Sequence, residues 1–229
     1  MTAGLAVTVT SLYQPRIVLK ALNTIAPEIV MSAPNDRGYF ALTFDDGPNP
    51  PFTDEVLAIL DRCGAQATFS FTGTQVEKHP GYVEIVLSRG REIGNHMYSV
   101  KPAVFMSDGE FERSIHMAED AVGGLGSRFL RPAGALARPG TVKIAQSLGY
   151  RMVPGSAYAS DWLQGPLWHM RWAYGSMLRS GSIVVPHDGG GYRTAPLKLL
   201  PEILESAGRR GLDSVTLGTL IDSASSFEC

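Results

Sequence analysis

The chain has 229 residues, 44% of them hydrophobic, with a formal net charge of -2 and a pI near 6.2. That length and apolar content suit one enzyme-sized domain with its own core. The near-neutral balance argues against a nucleic-acid binder or a polybasic membrane surface and points to a neutral or small partner, and two cysteines, Cys63 and Cys229, do not make a disulfide framework.

The first ten residues, Met1 to Thr10, lack a basic start and a cleavage site, and threonines break their apolar run. No signal peptide and no transmembrane helix is expected, so a cytoplasmic chain is favoured over a secreted one. Residues 12–31 carry Ile17, Val18, Leu19, Leu22, Ile25 and Ile29 at helix-like spacing, interrupted at Pro27. Residues 1–38 therefore read as a helical packing segment, and residues 39–229 as the main domain.

Tyr39 to Phe44 is apolar, aromatic and β-branched, and it runs into Asp45-Asp46-Gly47-Pro48, which cannot continue a ladder. Two carboxylates thus stand at the carboxyl end of a strand, where open α/β sheets and barrels place their chemistry. Neighbouring side chains on extended backbone diverge, so the pair can divide the work between holding a cation and accepting a proton. A turn-initiating Asp-Asp-Gly is the alternative.

Thr53 can cap a helix that buries Val56, Leu57, Ile59 and Leu60 and stops near Gly64. A strand at Ala67–Phe71, a helix from Pro80 to Gly90 and a strand at Arg91–His96 follow. The capping box Ser107-Asp108-Gly109-Glu110 opens a helix to about Val122, then comes a strand at Arg128–Arg131. Pro139 starts the next helix, which leads to a strand at Tyr150–Val153. A Trp-rich helix near 165–178, a strand at Ser182–Val185, a helix from about Ala195 to Ala207 and a strand at Asp213–Thr216 complete the series. This βα repetition predicts an α/β fold, a single-domain distorted (β/α) barrel of about seven parallel strands.

Thr43-Phe44-Asp45-Asp46-Gly47-Pro48 resembles the first signature of the polysaccharide deacetylases, the carbohydrate esterases of family four. In that family the first Asp is the general base and the second binds a divalent metal, usually zinc, which implies those roles for Asp45 and Asp46. Gly94-Asn95-His96-Met97-Tyr98-Ser99-Val100 is similar to the second signature, where a second His follows the first by four residues. His96 matches the first of these ligands, and Val100, which has no lone pair, stands at the second. Without the resemblance, a lone His such as His96 is more often a satisfied structural residue than a ligand.

Phe129-Leu130-Arg131-Pro132-Ala133-Gly134 resembles the third signature, whose Arg orients the base and whose following backbone N–H steadies the oxyanion; Gly134 stands where an aromatic is usual. Ser160-Asp161-Trp162 resembles the Asp-Trp signature, with Asp161 tuning the catalytic His and Trp162 lining the acetyl pocket. Ile183 to Gly189 resembles the fifth, giving His187 as general acid and Val185 as a pocket residue. Five signatures occur in family order, and the resemblance covers roughly residues 39 to 220.

The resemblance implies hydrolysis of N-acetyl groups on chitin-like or other N-acetylated carbohydrates, assisted by zinc or another divalent metal held by Asp46 and His96, weakly or not at all for want of a third ligand. A metal-independent amidase of small non-peptide C–N bonds and a catalytically silent carbohydrate-binding relative stay open because of Val100. Trp162, Trp168, Trp172, Tyr98 and Tyr192 offer flat surfaces for sugar rings. Trp168 and Trp172, four apart on a helix, are expected in the core instead.

Overall fold

Strand β1 (Tyr39–Asp45) has six of its seven residues buried, so both of its faces are covered, as in the middle of a parallel sheet. It pairs in parallel with β2 (Thr68–Phe71) on one side and with both β6 (Ile183–Val184) and β7 (Asp213–Val215) on the other. The sheet continues from β2 through β3 (Glu92–Asn95) and β4 (Phe129–Leu130) to β5 (Arg151–Met152), all parallel. An isolated parallel bridge between Ala157 and Val184 joins the segment after β5 back to β6, so the seven strands curl into a distorted barrel. The computed structural model describes residue 26 and residues 28–135, 138–159, 161–163 and 165–225.

The helices cover the outside. They are α1 (Phe52–Cys63), α2 (Gly73–Lys78), α3 (Tyr82–Ser88), α4 (Asp108–Ala121), α5 (Pro139–Ser147), α6 (Leu167–Met177), α7 (Thr194–Arg209) and α8 (Leu217–Ser225). The predicted capping box is present on α4: Ser107 Oγ accepts from the Glu110 N–H at 3.3 Å, and the Glu110 carboxylate accepts from the Ser107 N–H at 2.7 Å. Gly64 ends α1 in the left-handed conformation, φ 61°, as its position after the last apolar residue implied. The main core joins Phe40, Leu42, Phe44, Phe69 and Phe71 of the strands to Leu57 and Leu60 of α1 and Leu199 and Leu200 of α7.

Three expectations change. Thr53 does not cap α1; its hydroxyl donates to Asp188 Oδ2 at 2.5 Å and accepts from the Asn49 N–H at 2.8 Å, tying the loop after β1 to the loop after β6. Trp168 and Trp172 are exposed, because α6 buries Met170, Ala173, Tyr174 and Met177 instead. Most of the predicted N-terminal helix lies outside the described residues; within them, Ile29 bridges in parallel to Met152, and Val30 and Ala33 pack with Ala41, Val153 and Ile183. Among the described residues, no helix is long and apolar enough to cross a membrane.

Candidate active site

Most of the signature residues stand at the carboxyl end of a strand or just beyond it, while Asp161 stands in a 3₁₀ turn well after β5. Asp45 closes β1, His96 follows β3, Arg131 follows β4, and Val185 and His187 follow β6. A cleft of about 410 Å³ opens among them, lined by Asp45, Asp46, His96, Val100, Arg131 and His187 together with Gly134, Tyr158 and Val185.

Asp45 and His187 lie side by side because their backbones bridge: the Asp45 N–H donates to the Pro186 carbonyl at 3.2 Å, and the Gly189 N–H donates to the Asp45 carbonyl at 3.1 Å. Glycine is required at 189, since a Cβ there would come within 1.9 Å of the Asp46 carbonyl group.

Each of the two groups has a buried partner. Arg131 Nη1 donates to Asp45 Oδ1 at 2.6 Å while Arg131 Nε donates to the Val153 carbonyl at 2.9 Å, so the guanidinium is held at two points. Asp161, fully buried, accepts from the His187 backbone N–H at 2.8 Å and lies 3.0 Å from His187 Nδ1. Burial opposes a charge on His187, but the hydrogen bond and charge of Asp161, with Asp45 and Asp46 behind it, outweigh it and lift the imidazole to about 9. His187 is therefore a cation at neutral pH, with its Nδ1 turned to Asp161.

Asp46 turns away from its neighbour through a left-handed backbone, φ 69°. Its Oδ1 lies 3.2 Å from His96 Nε2, and His96 Nδ1 donates to the Arg131 carbonyl at 2.8 Å, which fixes the ring. Burial pushes Asp46 up, but His96, His187 and Arg193 together bring it below the usual carboxylate range. Burial likewise opposes charge on His96, and the Asp45 and Asp46 carboxylates overcome it.

Oxygen and nitrogen 3.2 Å apart suit two corners of a tetrahedral zinc, whose bonds run to about 2.0–2.2 Å. The third corner is missing. Val100 lines the same cleft, 58% exposed, and offers no donor atom. Among the described residues no group of three His, Cys, Asp or Glu side chains surrounds one point. The residues present therefore supply two protein ligands and do not complete a three-ligand zinc site.

Two of the predicted pocket residues fall in place: Val185 and Gly134 line the cleft. Tyr98 does not. Its ring packs over Gly73 at the start of α2, where a Cβ would meet it at 2.6 Å, and its hydroxyl donates to Glu77 at 2.9 Å. Met97, with φ 65°, breaks the strand alternation and sends Tyr98 outward. Trp162 belongs to a 3₁₀ turn at Asp161–Leu163, and its side chain lies outside the described residues.

The sequence reading missed Arg193 and Asn49. Arg193 is buried, donating to the Gly189 and Gly190 carbonyls, and its Nη2 and Asp46 Oδ2 both fall within 3.0 Å of where a Gly190 Cβ would stand. Asn49 donates to the Asp188 and Gly191 carbonyls at 2.9 Å, pinning the same glycine loop. Neither residue carries a local signal; an arginine five residues past an Asp and an asparagine in a proline-rich turn read as surface.

A polysaccharide deacetylase family model matches residues 32–153. A peptidoglycan-N-acetylglucosamine deacetylase of Bacillus cereus is 32% identical over 205 residues, covering 84% of this chain and 92% of that protein. A chitooligosaccharide deacetylase of Rhizobium leguminosarum bv. trifolii is 31% identical over 160 residues, 68% of this chain and 73% of that protein. Among solved structures, a peptidoglycan N-acetylglucosamine deacetylase bound to 4-naphthalen-1-yl-N-oxidanyl-benzamide superposes with a TM-score of 0.82 at 26% identity, covering 88% of this chain and 96% of that one.

Proposed function

The chain belongs to the polysaccharide deacetylase family, and from that premise we propose that it hydrolyses N-acetyl groups on N-acetylglucosamine-containing glycans by general acid and base catalysis. One observation carries the reading: Asp45 and His187, bridged backbone to backbone, face one cleft, each held by its own buried partner, Arg131 or Asp161. An unpartnered pair at a surface turn would not be built in this way.

In this reading Asp45 takes a proton from a water molecule as the water oxygen bonds to the acetyl carbonyl carbon. Arg131 keeps the carboxylate aimed. The Ala133 N–H donates only to the weak acceptor Met97 Sδ, at 3.4 Å, and can turn to the tetrahedral oxyanion. His187, protonated at neutral pH, gives its proton to the amine nitrogen as the C–N bond breaks, releasing acetate and a free amine. Val185 and Gly134 bound the space for the acetyl methyl. Asp46 and His96 would hold a divalent ion only weakly, for want of a third ligand.

Val100 favours a second reading, in which the chain is a metal-independent amidase of small C–N bonds or binds glycans without turning them over. Acetate release from N-acetylglucosamine oligomers, measured with added zinc and after treatment with a chelator, separates the two. Release that responds to zinc supports deacetylation; release that ignores it points to the amidase, and no release to the silent binder.

A further inference from the structure

The outer face of α6 is aromatic. Its inner face is settled by packing, with Met170, Ala173, Tyr174 and Met177 in the core and Leu167 against it. Trp168 and Trp172 stand outside at 68% and 45% exposure. The His169 ring touches both, edge-on to the first indole at 5.8 Å and tilted against the second at 6.1 Å, so the three rings form one aromatic strip. Two large indoles left in water on a well-packed helix mark a binding surface.

The strip is fixed in position. Arg171 reaches Glu202 of α7 with two hydrogen bonds, 2.7 and 3.0 Å, which locks α6 sideways while the core holds it from beneath. It also continues from the catalytic cleft. Residues 164–166 are all that separate α6 from the 3₁₀ turn whose first residue, Asp161, holds His187 and whose last, Leu163, is 71% exposed. The Tyr174 hydroxyl of α6 donates to the carbonyl of the cleft residue Val185 at 3.4 Å, so the helix packs along the flank of the cleft.

The chemistry favours a neutral glycan. Helix α6 contains no lysine and no acid, and its one arginine is paired with Glu202. An anionic lipid surface calls for unpaired basic residues around the aromatics. Trp168 and Trp172 are four residues apart, a rise of about 6 Å, on the scale of successive pyranose rings of a linear chain, which present flat C–H faces.

We propose that Trp168 and Trp172 form a second glycan-binding site, a stacking track that holds a linear N-acetylated polysaccharide while another part of the same chain occupies the cleft. The choice of glycan rests on the proposed deacetylase reading; the site itself does not.

The test compares the wild-type protein with Trp168→Ala/Trp172→Ala in pelleting with insoluble chitin and with purified peptidoglycan. The double variant is expected to bind at least one of them about tenfold more weakly, the equivalent of about 1.4 kcal/mol, while Trp168→Phe/Trp172→Phe recovers much of the binding and all three proteins melt alike. Equal binding by wild type and double variant overturns the proposal, as does a wild type that pellets with neither glycan. Tryptophan-dependent pelleting with phosphatidylglycerol vesicles, or tryptophan-dependent dimerisation in sedimentation, overturns it in favour of a membrane or a second copy. Acetate assays on the same proteins keep the two readings apart: tryptophan-dependent pelleting without acetate release defeats the deacetylase reading alone, and tryptophan-independent pelleting with release defeats this one alone.

Discussion

Arg131 Nη1 lies 2.6 Å from Asp45 Oδ1 with the two side chains only 3% and 4% exposed, which makes this ion pair the buried centre of the site. Breaking a buried pair from one side strands the other charge. Arg131→Met is therefore expected to lower stability by roughly 3–5 kcal/mol in urea titration. Arg131→Lys, which keeps the charge but loses the Nε bond to Val153, should fall between. A Met variant as stable as the wild type contradicts the pairing.

The His187–Asp161 pair gives a pH signature. The imidazole, 6.5 in an unfolded chain, sits at about 9 when folded, so its stabilisation is complete below about pH 6.5 and is lost as pH rises through 9. Asp161→Asn should destabilise most at pH 6 and match the wild type more closely above pH 9. In turnover, the alkaline limb near pH 9 should move downward in the Asn variant, because the acid form of His187 is lost earlier. A limb that stays in place removes His187 as the proton donor.

Much of this arrangement was legible in the sequence because the signals were local. Strands β1 and β6 were apolar runs cut off by turns, the other strands followed from the βα alternation, and four site residues sit at strand ends: Asp45, His96, Arg131 and His187. Three features needed tertiary contacts. The left-handed Met97 flips Tyr98 out of the cleft, which alternation from His96 cannot foresee. Helix α6 is apolar around most of its circumference, so spacing alone could not say that Met170, Ala173 and Tyr174 win the core over the two tryptophans. Helix α2 spans only six residues, Gly73–Lys78, too short for periodicity to register. Helix α8 was missed as well, although Leu217, Leu220, Ile221 and Ala224 repeat at helical spacing.

Val100 decides how well a metal is held. It lines the cleft beside Asp46 and His96 and is 58% exposed, so a larger ring there meets little crowding. Val100→His should raise the zinc retained after dialysis against a weak chelator from well below one equivalent towards one, with the melting temperature nearly unchanged. A wild type that already retains a full equivalent means that a residue outside this account supplies the third ligand.

Gly189 fixes the distance between the two catalytic loops. A Cβ at this position would fall 1.9 Å from the Asp46 carbonyl group, closer than any contact allows. Gly189→Ala should push the loops after β1 and β6 apart and remove most of the activity while leaving the far-ultraviolet circular dichroism intact. Full activity in this variant contradicts the close approach.

The central claim is that Asp45 and His187 are the base and acid of an N-acetyl hydrolysis, and acetate release from N-acetylglucosamine oligomers by the wild type, Asp45→Asn and His187→Ala tests it most directly. The account predicts release by the wild type, with each variant, assayed below its own melting transition, reduced by roughly 10²–10⁴-fold. Equal release by either variant, or none from the wild type even with zinc supplied, contradicts it.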